Sequence, residues 1–195
     1  KAIAKVGDAV VINAPKGNVT VKAASKIGYT GIVGGLAKSG GHGIGASVSV
    51  LVVNNEILAQ TGNGVTITAG KKIHVDADSK ETIVAVVVNG AASTGANSGV
   101  AVAVSPSVNV IKGSTQAIAG TGSYTANSMD VTADSTTKIV ILSGGAAVST
   151  GKAGVGGSVQ VDVFLKKVKA RIEDGTADAR AVILAPGGLT VRANS

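Results

Sequence analysis

Four segments of the chain carry one alternating pattern. Val19, Val21 and Ala23 lead to Ser25; Ile73, Val75 and Ala77 to Ser79; Met129, Val131 and Ala133 to Ser135; Leu189, Val191 and Ala193 to Ser195. The positions between them do not hold: one column reads Thr20, His74, Asp130, Thr190 and the next Lys22, Asp76, Thr132, Arg192. Fixed small apolar residues alternating with a column that changes sign is a period of two, the signature of strands with one buried and one solvated face. Val48, Val50, Val52, then Val100, Val102, Val104, then Val159, Val161, Val163, Leu165 repeat the alternation and are read as further core-facing positions. Beyond Leu165, the residues Val168, Ala170 and Ile172 continue on the opposite parity, which predicts a corner at Lys166-Lys167. No window carries an apolar stripe at helical spacing, and β-branched residues interleaved with glycine are poor helix material.

The segments recur at a fixed interval. Their terminal serines lie 54, 56 and 60 residues apart, and a second anchor, Gly34-Gly35, Asn89-Gly90 and Gly144-Gly145, keeps a spacing of 55. Two anchors in step define repeats at about 1–55, 56–113 and 114–172, with a partial copy over 173–195, forming one continuous unit. Within the second repeat, six short strands are expected near 64–69, 72–79, 82–89, 99–105, 108–112 and 115–119. If three strands complete one triangular coil, each repeat supplies about two coils. The chain is then an all-β, right-handed parallel β-helix of about seven coils, ~35 Å long at ~4.8 Å per coil. A Greek-key sandwich, the competing architecture for a Gly-rich β chain, has no reason to repeat its sequence at one period. The lumen is expected to hold stacked Val, Ile, Leu and Ala, with little room for aromatics.

The run Gly43-Ile-Gly45-Ala-Ser47-Val-Ser49-Val50, its echo Gly154-Val-Gly156-Gly-Ser158-Val-Gln160-Val161, and the anchor strands ending in Ala-x-Ser resemble the repeats of large filamentous haemagglutinin-like and leukotoxin-like adhesins. Gram-negative bacteria export these through type V, two-partner secretion. The resemblance spans essentially the whole chain. It implies a rod segment of a secreted, surface-displayed adhesin, set among neighbouring repeats of a longer parent and meeting a host-cell receptor or glycan. A leukotoxin or cytolysin segment is the alternative it also implies, and a polysaccharide-degrading β-helix enzyme is a more remote one. The stretch begins at Lys1 with no leader, so targeting signals are expected to lie outside it.

Composition narrows the chemistry further. The 195 residues include 28 Gly, three aromatics (Tyr29, Tyr124, Phe164), no Cys and two His, with a net charge of +7. Disulfide scaffolds, Cys-ligated zinc and three-His metal sites are excluded. No run reaches the ~18 apolar residues of a spanning helix. Gly35 to Gly40 has the glycine spacing of a phosphate loop, but Gly41 stands where the lysine is required. Gly40-Gly41-His42-Gly43-Ile44 lacks the carboxylate of a calcium repeat, because Gly45 follows. No Gly-x-Ser-x-Gly elbow occurs, and scarce aromatics argue against sugar or nucleic-acid stacking platforms. Asp76 and Asp78 are expected to be solvated on an outward face, with Asp130 and Asp134 two coils away at ~10 Å. No catalytic, cofactor or metal residue is therefore assigned. The one concentrated charge feature, Lys166, Lys167, Lys169 and Arg171, is the candidate contact for an anionic glycan.

Overall fold

The computed structural model describes residues 1–95, 99–175 and 179–195. The described residues form strands and connections, with no helix. The chain runs through β1 (Ala2–Lys5), β2 (Val11–Ala14), β3 (Val19–Ser39), β4 (Gly43–Ala46), β5 (Ser49–Gln60), β6 (Val65–Ala69) and β7 (Lys72–Ser93). It continues through β8 (Val100–Ala119), β9 (Gly122–Thr125), β10 (Ser128–Ser149), β11 (Ala153–Ile172), β12 (Ala181–Leu184) and β13 (Leu189–Asn194). These build a front sheet β1-β5-β8-β11, with β4 also on β8, a back sheet β13-β10-β7-β3, and a short end sheet β12-β9-β6-β2. Every pairing is parallel. Each repeat therefore visits end, back and front sheets in the same order.

The register corrects the expected geometry. Val75 lies directly between Val21 and Val131, and Val131 faces Val191, so homologous positions of successive repeats are neighbouring strands. One circuit, not two, is completed per repeat, and four strands at ~4.8 Å give a stack of about 19 Å instead of ~35 Å. The miscount has a physical cause. The segments 72–79 and 82–89 fuse into β7, and 99–105, 108–112 and 115–119 fuse into β8. Asn89, Ser105 and Asn109, of the residue types that sequence alone reads as punctuation, are inward polar residues on unbroken strands, as is Glu81. A real interruption occurs at Ser47 and Val48. It lies opposite Pro106, which has no N–H to give the ladder.

The cross-section tapers. At the wide end all three sheets enclose Ile57, Ile67, Ile73, Val75, Met129 and Val131, each at most 1 % exposed. Tyr124 is buried among them, contrary to the expectation that the lumen excludes aromatics. Its hydroxyl lies 2.7 Å from Thr61 Oγ1 and donates to the Gly120 carbonyl at 2.8 Å. Toward the other end the front and back sheets close directly on each other, first through Leu51, Ile83 and Ile111, then through only Ala91, Ala101 and Ala103. There the approach demands glycine: a Cβ on Gly43 would stand 2.5 Å from the Ala92 carbonyl oxygen, and one on Gly154 2.7 Å from that of Ala147. The alternate Gly-x-Gly-x-Ser positions are thus the inner face of the front sheet.

That assignment reverses the sequence reading of the valines. Val48, Val50 and Val52 are 64–67 % exposed, and Val159, Val161, Val163 and Leu165 are 38–64 % exposed, all on the outer face. Strand β11 runs straight through Lys166-Lys167 without a corner, with Gly154, Ser158, Phe164, Lys166, Val168 and Ile172 on one side. At the seam Ile44, Val104 and Val155 point outward because the inner positions of the front sheet there hold only Gly, Ala and Ser; farther along, Val50 and Val52 face out beside inward Leu51 and Val53, and Val161 and Val163 beside inward Asp162 and Phe164.

Candidate functional site

The basic segment of β11 does not form one patch. Parity sends Lys166 inward, where its ammonium meets the carboxylate of Glu81 on β7 across the space between the sheets. Arg171 is half-buried and its guanidinium lies 2.5 Å from Glu173. Lys167 is exposed and Lys169 half-buried. Of the four predicted glycan contacts, Lys167 and Lys169 alone stand on the outer face without an acidic partner among the ion pairs of the described residues.

The pairing of Lys166 belongs to a buried polar tier. Asn55 donates to Ser79 Oγ at 3.2 Å and to Glu81 Oε1 at 2.9 Å, while Thr137 donates to Glu81 Oε2 at 3.1 Å. Burial pushes the Glu81 carboxyl up, but the Lys166 bond, the Asn55 and Thr137 bonds and the Lys166 charge outweigh it and hold the group below its ordinary value. A second tier follows, with Asn109 donating to Asp162 at 2.7 Å and to Ser107 at 3.1 Å. These residues close the interior between the wide core and the Ala/Gly seam; the amide nitrogens of Asn55 and Asn109 are engaged, while their Oδ1 atoms are buried without a hydrogen-bond partner.

The outer face of the back sheet carries a cross-strand charge ladder. Lys22 lies beside Asp76 in register and its ammonium is 2.8 Å from Asp76 Oδ2. Thr132, the next neighbour, donates to Asp76 Oδ1 at 2.8 Å and sits 3.1 Å from His74 Nε2. Lys72 pairs with Asp130, Arg192 with Asp134 at 3.2 Å, and Lys80 with Asp78 at 3.8 Å. Within the column that changes sign between repeats, Lys22 and Asp76 are opposite charges placed side by side; Lys72 with Asp130 and Arg192 with Asp134 are diagonal pairs, and Lys80 with Asp78 lies along one strand. Asp76 faces outward as expected, yet it is only 7 % exposed and is not solvated. Burial pushes its carboxyl up, and the bonds from Lys22 and Thr132 bring it below the usual range. The one-circuit geometry also corrects the ~10 Å separation, since Asp78 and Asp134 are adjacent strand partners.

Chemically the ladder offers little. Thr132 gives its proton to Asp76, so the hydroxyl is not activated by His74, and the order is wrong for a nucleophile, base and orienting acid. Among the described residues no group of three or more His, Asp or Glu is placed to hold a metal ion. Gly35 lies inside strand β3 and Gly43 to Ala46 form β4, with Gly40, Gly41 and His42 as the short connection between them.

One exposed apolar surface consists of residues that sequence reasoning placed in the core. Between the row of Ile44, Val102 and Val155 and the row of Val52, Val110 and Val163, the outer front face contains no charged residue. The available signal was the Gly-x-Gly-x-Ser parity, which marks the inner side once two sheets are known to touch. Among the described residues no helix is long and apolar enough to cross a membrane. No family model, curated protein or solved structure matches the chain.

Proposed function

We propose that this chain is a rod-forming segment of a secreted bacterial surface adhesin, built as a right-handed parallel β-solenoid with one coil per repeat of about 55 residues. The observation that carries the reading is the in-register parallel pairing of each repeat with the next, which adds length along one axis with every copy. In this reading the interior polar tiers and the charge ladder are structural cement. The chain is not an enzyme, and it presents or mediates adhesion to a host-cell receptor or glycan from the outer membrane of a Gram-negative cell, following export by type V secretion. Support for the non-catalytic reading is that the most buried carboxylates, Glu81 and Asp76, are each engaged by a lysine and a threonine of neighbouring strands.

Two measurements test it. Tandem fusions of increasing repeat number should lengthen in one dimension, by about 4.8 Å per repeat in small-angle scattering; growth in all dimensions would refute the rod. Beads coated with the chain should adhere to host cells without releasing a trapped dye. Dye release would instead support the cytolysin reading, and release of unsaturated or reducing ends from acidic glycans would support an enzyme.

A further inference from the structure

The outer front face is a contiguous apolar surface of the size that often marks an interaction site. It spans five rows on three strands, about 30 Å by about 14 Å, on the order of 400 Å² as a flat projection. Contiguous apolar patches above a few hundred Å² mark interaction sites. Its composition is almost wholly Val, so the surface is a regular set of ridges with few rotamers to freeze. The row Val50, Val108 and Val161 crosses its centre, at 67, 39 and 48 % exposure.

We propose that this face binds the same face of a second copy of the chain, sheet on sheet, about a two-fold axis. Three observations select that occupant. Two copies of the patch bring together on the order of 1,000 Å² once the corrugation of the side chains is counted, the threshold for a specific though weak pair. The rows contain no charge and no side-chain hydrogen-bonding group, so the surface offers nothing to a polar or charged partner and is complementary to itself. The bounding row on one side carries Lys112 beside Asn54 and Leu165, while the row beyond Ile44 and Val155 holds His42, Val100 and Ala153. A two-fold axis perpendicular to the strands reverses them, so the Lys112 end of one copy lies over the end of the other that has no lysine in its row; this is the axis proposed, because one parallel to the strands would bring the two Lys112 ends together. Sheets packed in this way sit ~10 Å apart with strands within about 30° of each other. The inference stands on this surface alone and does not depend on the adhesin reading. Were the chain a rod, the same face would join rods side by side.

The test is sedimentation velocity of the 195-residue chain from low to about 100 µM, the range in which an interface of this size associates. A reversible dimer is expected, strengthened by sodium sulfate, because the contact is apolar and the +7 charge of each copy is screened. The triple variant Val50→Thr, Val108→Thr, Val161→Thr keeps side-chain shape and strand preference and should weaken the dimer at least tenfold, with an unchanged circular dichroism spectrum and melt. Val108→Lys alone should do the same if the triple variant folds poorly. A monomer throughout the range overturns the proposal. So does a dimer that survives both variants, which would point to edge pairing through β3 or β11 or to the outer face of the back sheet, where Ile32, Leu36, Val88 and Leu142 are also exposed. Flotation of the monomer with phosphatidylcholine vesicles, without self-association, would overturn it in favour of a lipid surface.

Discussion

Replacing Lys166 by Met separates a buried structural ion pair from a surface lysine available to ligands. The Glu81 side chain has no exposed surface and the Lys166 side chain is 22 % exposed. Breaking a fully buried pair costs about 3–5 kcal/mol, because it leaves a charge without compensation. The Asn55 and Thr137 hydrogen bonds stay with Glu81, and Lys166 is partly hydrated, so about 2–3 kcal/mol is expected here at pH 7. For a chain of this length that is a fall of about 4–12 °C in Tm.

The pH dependence carries more information than the magnitude. In the native chain the Glu81 carboxyl is depressed, so its stabilising effect is present above the unfolded-state value and is lost as pH falls through the folded one. Without Lys166, burial dominates and raises the folded value above the unfolded one. The folded variant then binds the proton more readily, and its deficit should shrink as pH drops from 7 toward 5. Differences between the two proteins, followed by urea unfolding at several pH values, cancel the titration of the other carboxylates. The double variant Glu81→Gln, Lys166→Met should recover part of the loss at neutral pH. A Lys166→Met chain as stable as the parent, or a deficit that does not change with pH, would refute the placement of Lys166 inside the molecule.

Three further outcomes follow from the same geometry. Gly154→Val should destabilise by about 3 kcal/mol or more by prising the sheets apart, whereas Gly157→Val, whose new Cβ would meet nothing within 4 Å, should stay within about 0.5 kcal/mol; thermal melts compare them. Asp76→Ala should cost about 1–2 kcal/mol, discounted because Lys22 is half exposed, against no more than about 0.5 for Asp78→Ala, and the Asp76 carboxyl followed by NMR should titrate below the usual range. Retention on a heparin column should be weak and should end near or below physiological salt, where exposed charges are screened over ~8 Å, and Lys167→Ser with Lys169→Ser should abolish it; tight retention in high salt would reveal a glycan site elsewhere.

What the sequence made legible was whatever depended on its own internal copies. The 54- and 56-residue intervals between Ser25, Ser79 and Ser135 become strand pairings of those same residues, and Ala14-Pro15 and Ala185-Pro186 open equivalent turns, closed by bonds from Gly17 N to Ala14 O and from Gly188 N to Ala185 O at 3.0 Å each. What it hid was which side of a strand faces in when the strand faces another sheet at close range. Hydrophobic alternation assigns the larger apolar residue to the interior, a rule that presumes a core about 10 Å thick. It holds at the wide end, where Val75 and Val131 are fully buried, and it inverts at the narrow end, where backbone meets backbone and Ile44 faces water while Gly43 and Gly45 are buried. The same thinness explains the lysines. Lys166 takes the inward parity only because the column Asn55, Gly113, Lys166 opens, at the mouth of the wide region, toward Glu81 in the opposite sheet. No alternation rule within β11 could have disclosed a partner 85 residues away on another sheet. Within the candidate glycan segment, Lys166 and Arg171 therefore meet carboxylates that its own alternation does not disclose, and the valines of the outer front face read as core for the same reason.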